Sequence, residues 1–171
     1  AHIVEQNFGF DYSLFYELSG TDYTSPGSWS NLEPSEAIMR GMVTPYGTSS
    51  VSEDFAELVA FILTHEEGDF AQNFFDDGTV CPIDNQLQNC LSTKEGQQRI
   101  EEKYQEVLDF YANVVGIDLL KVRDKFLENI NIIEKDLISI FEKNRIKKID
   151  TKNKKFDPNF QISYSDHLKK F

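Results

Sequence analysis

Apolar residues recur at helical spacing in three long stretches of the chain. Phe55, Leu58, Val59 and Ile62 fall at i, i+3, i+4, i+7 and make one apolar face. Ser50 stands three residues before Glu53, the capping-box spacing, so a helix is predicted to start there. A second helix is predicted from about Glu95 to Val115, with Ile100, Tyr104, Val107, Leu108, Tyr111 and Val115 as its stripe and Gly116 as its end. Asp118 caps a third, with Leu119, Val122, Phe126, Ile130, Ile133, Leu137 and Ile140 facing inward. The short Gly116-Ile117 link implies that these two helices pack antiparallel.

Between and around these stretches the pattern weakens. Residues 7–35 read as a long irregular segment with Phe8, Phe10, Tyr12, Phe15, Tyr16, Tyr23 and Trp29 interleaved. Those aromatics either pin the segment to the core, the commoner arrangement, or line a cleft. Residues 35–42 read as a short helix capped by Ser35, followed by a turn at Val43-Thr44-Pro45-Tyr46-Gly47. Residues 64–95 read as polar and irregular, with Cys81 and Cys90 inside them. A short strand is expected at Phe160–Tyr164. There is no internal repeat. The fold class expected is mainly α.

Composition excludes several classes. Apolar residues make up 40% and aromatics 13%, too rich for a disordered chain. The net charge of -12 argues against a duplex-binding module, and nucleic acid is not expected as a partner. No apolar run approaches the ~18–20 residues that a membrane-spanning helix needs. The charge is also segregated: residues 142–171 hold nine Lys or Arg against four Asp or Glu, and the rest holds eight against twenty-five. This divides the chain into a helical body over 1–144 and a basic tail over 145–171. Ala1-His2-Ile3-Val4-Glu5-Gln6 reads as the inside of a helix with no cap before it, so the chain is expected to be a piece of a longer protein.

Candidate chemistry lies in His2, Tyr46, Glu53 and Glu57. Taken singly, each has an ordinary reading. A lone His is usually structural, two Glu one turn apart are usually a solvated face, and a Tyr after Pro is usually packing. Asp54, next to Glu53, reads as a cap or a solvent-facing residue.

Together they resemble a known family. Tyr46 to Glu53 is seven residues, followed by Glu53-Asp54-Phe55-Ala56-Glu57. This run resembles the second active-site helix of gluzincin metallopeptidases of the lethal-factor-like type. Ala1-His2 resembles the last two positions of the His-Glu-x-x-His helix. With Gly41-Met42-Val43-Thr44-Pro45-Tyr46 and Gly116-Ile117-Asp118-Leu119 included, the chain is closer to the bacterial putative zinc-binding metallopeptidases, lipoproteins described as substrate-import-associated zinc metallohydrolases. The resemblance covers residues 1 to about 140.

By that resemblance, the fold would be the C-terminal helical part of a zincin-like metallopeptidase domain. His2 and Glu53 would be Zn2+ ligands, because two His and a Glu leave a fourth position for water. The other His and the catalytic Glu would fall ahead of residue 1. Tyr46 would donate its hydroxyl to the oxyanion of the tetrahedral intermediate, and Glu57 would orient a ligand His. The substrate would be a protein or peptide. The location would be extracytoplasmic, in the cell envelope or as an outer-membrane lipoprotein with its lipid anchor upstream. An oxidising compartment makes a Cys81–Cys90 disulfide expected, with two free thiols as the alternative. The competing function is a non-enzymatic secreted lipoprotein module that binds glycan, peptide or a partner protein.

Overall fold

The computed structural model describes residues 1–144; the basic tail and the strand expected at Phe160–Tyr164 lie outside the described residues. Among the described residues there are seven α-helices and no strand: α1 (His2–Phe8), α2 (Ser13–Ser19), α3 (Pro34–Met39), α4 (Val51–Thr64), α5 (Glu67–Phe74), α6 (Leu87–Phe110) and α7 (Leu119–Lys143). The mainly α class holds. The chain divides within α7 into two compact units, Ala1–Ile130 and Asn131–Phe171.

The first unit is built on the faces that the pattern marks out. Phe55, Leu58, Val59 and Ile62 of α4 and Ile100, Tyr104 and Val107 of α6 are all buried. Phe10 and Phe15 complete the core from the N-terminal segment. The Phe10 ring lies 4.4 Å from Phe55, 4.9 Å from Phe110 and 5.5 Å from Phe15. Several interleaved aromatics of residues 7–35 are therefore pins, and a helix, α2, forms among them because Phe15 and Ser19 share its buried face.

Other elements depart from the pattern. In α3 the cap is Glu33, not Ser35: Glu33 and Glu36 form a reciprocal capping box, with Pro34 in the first turn. Helix α5 arises inside the stretch read as irregular. Its apolar face is only Phe70 and Phe74, and the Phe70 ring sits 5.0 Å from Tyr104 of α6. Helix α6 starts at Leu87, about two turns ahead of the start expected near Glu95, because its first turns lie on the surface and need no apolar residues. It ends in a π-helical turn, Tyr111–Val115.

The pairing expected of the last two helices is not made over residues 119–130. There α7 buries only Leu119 and Arg123, while Val122, Phe126 and Ile130 are each about 45% exposed. In the second unit, Ile133, Leu137 and Ile140 are exposed as well. Asp118 does cap α7, accepting from the Lys121 N–H at 3.1 Å.

Candidate metal centre

Two elements present the candidate ligands. The first is α1, whose first turn carries His2. The second is α4, whose first turn carries Glu53. Ser50 fixes where α4 begins: its backbone is extended and its Oγ accepts from the Glu53 N–H at 3.2 Å. That cap sets the direction in which Glu53 leaves the helix.

His2 and Glu53 meet. His2 Nε2 lies 3.4 Å from Glu53 Oε2. On the other side of the ring, His2 Nδ1 lies 3.3 Å from Glu5 Oε2, one turn along α1. The His2 side chain is 43% exposed and Glu53 27%, so the pair is open to solvent and solutes. Glu5 is largely covered, with the buried Tyr12 hydroxyl close to it; among the described residues that hydroxyl has no hydrogen-bond partner of its own.

Tyr46 opens a 3-10 turn, Tyr46–Ser49, which packs on α4. Pro45 precedes it and sets the backbone for the turn. The Trp29 ring lies edge-on to Tyr46 at 5.0 Å. The segment that bears Trp29 is tied to the same turn, because the Thr24 N–H donates to the Thr48 carbonyl at 2.7 Å. The Glu53 carboxylate beside the Tyr46 hydroxyl, through hydrogen bonding and then charge, holds its pKa above the ordinary tyrosine value. The phenol thus stays protonated and available as a donor.

Glu57 is placed elsewhere. Its Oε2 accepts from Thr44 Oγ1 at 2.8 Å, and Thr44 Oγ1 accepts in turn from the Gly47 N–H at 3.0 Å. Glu57 therefore fastens the Tyr46 turn to α4. The carboxylate on the His2 Nδ1 side is that of Glu5, not Glu57. Cys81 and Cys90 are joined by a disulfide, Cα–Cα 5.7 Å, which tethers the preceding loop to the first turn of α6.

Asp54 neither caps nor faces solvent. It is buried and ion-paired to Lys103 of α6 at 2.7 Å. Burial pushes its carboxyl up, with Lys103 and Tyr23 pulling it back, and burial pushes Lys103 down. Reading the sequence missed the parts played by Glu5, Trp29, Thr44 and the Asp54–Lys103 pair. Of these, the Asp54–Lys103 pair carried a signal: Asp54 lies four residues before Leu58 and eight before Ile62, and Lys103 three after Ile100 and four before Val107, each on an apolar face.

The donor set fits part of a zinc site. Two donors about 2.0–2.2 Å from a tetrahedral zinc lie about 3.3–3.6 Å apart. The His2–Glu53 separation of 3.4 Å falls in that range, and imidazole nitrogen and carboxylate oxygen are both zinc donors. Among the described residues no group of three or more His, Cys, Asp or Glu converges. Beyond the Tyr46 turn, an open, mostly apolar cavity of about 460 Å³ is lined by Ile38, Val43, Thr44, Pro45, Phe61 and Phe74 among others.

No curated protein matches the chain. A family model described as GrpE matches residues 82–166, the stretch from the disulfide loop through α6 and α7 and beyond. Among solved structures, the chain is similar to a putative zinc-binding metallo-peptidase from Bacteroides caccae ATCC 43185, with a TM-score of 0.62 and 26% identity. The match covers 78% of this chain and 45% of that one, so the chain spans less than half the length of that protein. A family model described as putative zinc-binding metallo-peptidase matches residues 1–120, most of the chain and both candidate ligands. The chain belongs to that family of putative zinc-binding metallo-peptidases.

Proposed function

We propose that these residues are part of a zinc-dependent metallopeptidase of the lethal-factor-like gluzincin type. His2 and Glu53 would hold the ion together with a His supplied from outside this sequence. The observation that carries this is the 3.4 Å approach of His2 Nε2 to Glu53 Oε2 across two helices. A bound zinc would supply Lewis acidity and lower the pKa of a water toward ~7. The chain's own residues do the rest. Glu5 holds the His2 Nδ1–H, which leaves Nε2 free to ligate. Tyr46, a phenol protonated at neutral pH and held beside Glu53 by its turn, donates to the oxyanion of the scissile carbonyl. The general base would be a Glu next to the additional His.

The substrate is a protein or peptide on this reading, and the apolar cavity beyond the Tyr46 turn suits an apolar side chain. An extracytoplasmic, cell-envelope location belongs to the same proposal. The Cys81–Cys90 disulfide supports it, since such bonds persist in oxidising compartments.

The test compares zinc content in two forms of the protein. One is this chain. The other carries a helical extension ending in His-Glu-x directly before Ala1. The extended form should bind one zinc and cleave a casein substrate; this chain should bind zinc weakly and cleave nothing, since two donors are one short of a catalytic site. Stoichiometric zinc in the short form, or none in the extended form, would sink the reading and favour a binding module without catalysis.

A further inference from the structure

Lys103 is fully buried, and so is its partner Asp54. The Lys103 Nζ donates to Asp54 Oδ2 at 2.7 Å, to the Gly41 carbonyl at 2.9 Å and to Ser19 Oγ at 2.8 Å. All three of its protons are used. Tyr23 Oη donates to the same Asp54 oxygen at 2.9 Å. Ser19 Oγ in turn donates to the Arg40 carbonyl at 3.0 Å, next to Gly41.

The location of these partners matters more than their number. Asp54 directly follows Glu53. Gly41 opens the segment Gly41-Met42-Val43-Thr44-Pro45-Tyr46. One ammonium group therefore ties together the residue after the candidate ligand and the start of the segment that carries Tyr46. The rest of α6 serves the same segment. Gly96 lies under the Ile38 carbonyl so closely that any added Cβ would collide with it. Arg99 packs against Gly41 and pairs with Asp22 at 2.8 Å.

Stability does not account for a pair so deeply buried. Two charges taken out of water cost several kcal/mol each, and an apolar pair of similar volume often serves a core as well or better. What a fully bonded ammonium adds is a fixed arrangement of its partners, because each of its bonds has a preferred direction and length.

We propose that Lys103 is a positioning residue of the metal site, holding Glu53 and the Tyr46 segment in register through Asp54 and Gly41. This rests on the zinc reading above. The experiment follows the His2 ring signals by NMR as Zn2+ is titrated into this chain, with thermal unfolding measured in parallel. The double variant Lys103→Met, Asp54→Leu removes both charges at similar volume. It should unfold within a few degrees of the parent yet bind zinc at His2 about 10–100-fold more weakly, the usual loss when support behind a ligand is removed. A folded double variant with parental zinc affinity would overturn the proposal and leave the pair as core packing. If the double variant does not fold, Tyr23→Phe replaces it, since it removes one hydrogen bond from Asp54. A roughly fivefold loss of affinity then supports the proposal, and no loss overturns it. Glu53→Ala sets the floor. A parent that binds no tighter than this floor would sink the zinc reading itself, and the Lys103 assignment with it, before any variant at 103 is made.

Discussion

His2 has carboxylates on both of its nitrogens, and the two do different jobs. Glu5 sits on Nδ1 from the same helix; Glu53 sits on Nε2 from another. Both separations, 3.3 and 3.4 Å, fit a pair of zinc ligands; what sets Glu53 apart is that it reaches His2 from a second helix, whereas Glu5 lies one turn along the same one. Glu57, one turn further along α4, spends its Oε2 on Thr44. These placements give an order of effects. Glu53→Gln should lose most of the bound zinc, because a ligand loses both its charge and its bond. Glu57→Gln should stay within ~10-fold of the parent, because a glutamine can still accept from Thr44. Competition with a metal-chelating dye ranks the two variants. The reverse order would mean that the ligand and its support have been interchanged.

At the scale of elements, α6 is the spine against which the site is set. Its contact with α3 depends on Gly96, where an added Cβ would run into the Ile38 carbonyl oxygen. Alanine is the better helix former by roughly 1 kcal/mol, and in an exposed helix the exchange would stabilise. Here the clash is with backbone, which cannot swing aside. Gly96→Ala should therefore lower the urea midpoint, with a net loss of about 1–3 kcal/mol from overpacking. A rise in the midpoint would show that α3 and α6 can separate at no cost. Elements of this kind were legible in the sequence to the extent that each buries its own stripe. The stripes of α4 and α6 reach the core, and Tyr46 and Glu53 are tied by a local spacing. Helix α5 was not legible, because two phenylalanines in a polar frame define no period. Asp54 was misread, and Lys103 passed over, for a related reason. Each interrupts an apolar face, Asp54 ahead of Leu58 and Ile62, Lys103 between Ile100 and Val107. On a helix taken alone, a charge at such a position reads as the edge of the stripe. Only the partner, forty-nine residues away along the chain, makes it interior.

For the molecule as a whole, the core and the proposed metal site are distinct. Phe15, Phe55, Leu58, Ile62, Ile100 and Val107 are almost wholly buried, whereas α1 adds only the partly buried Val4 to that cluster and buries no residue fully. A zinc held by His2 and Glu53 would cross-link α1 to α4 at the surface, outside that core. It stands in contrast to the small zinc domains, where metal binding supplies about 10–16 kcal/mol and the apo chain is unfolded. Linkage sets the scale here: tenfold more free zinc than its dissociation constant adds only about 1.4 kcal/mol to stability. Treating the protein with a chelator should accordingly leave the helical circular dichroism intact and lower the melting temperature by a few degrees at most. Exchange protection should fall in α1, a seven-residue helix too short to hold itself together in water, and persist in α4 and α6. Cooperative loss of all helical signal on chelation would show instead that the metal is part of the core's support, and that α1 is not the peripheral element its exposed surface makes it.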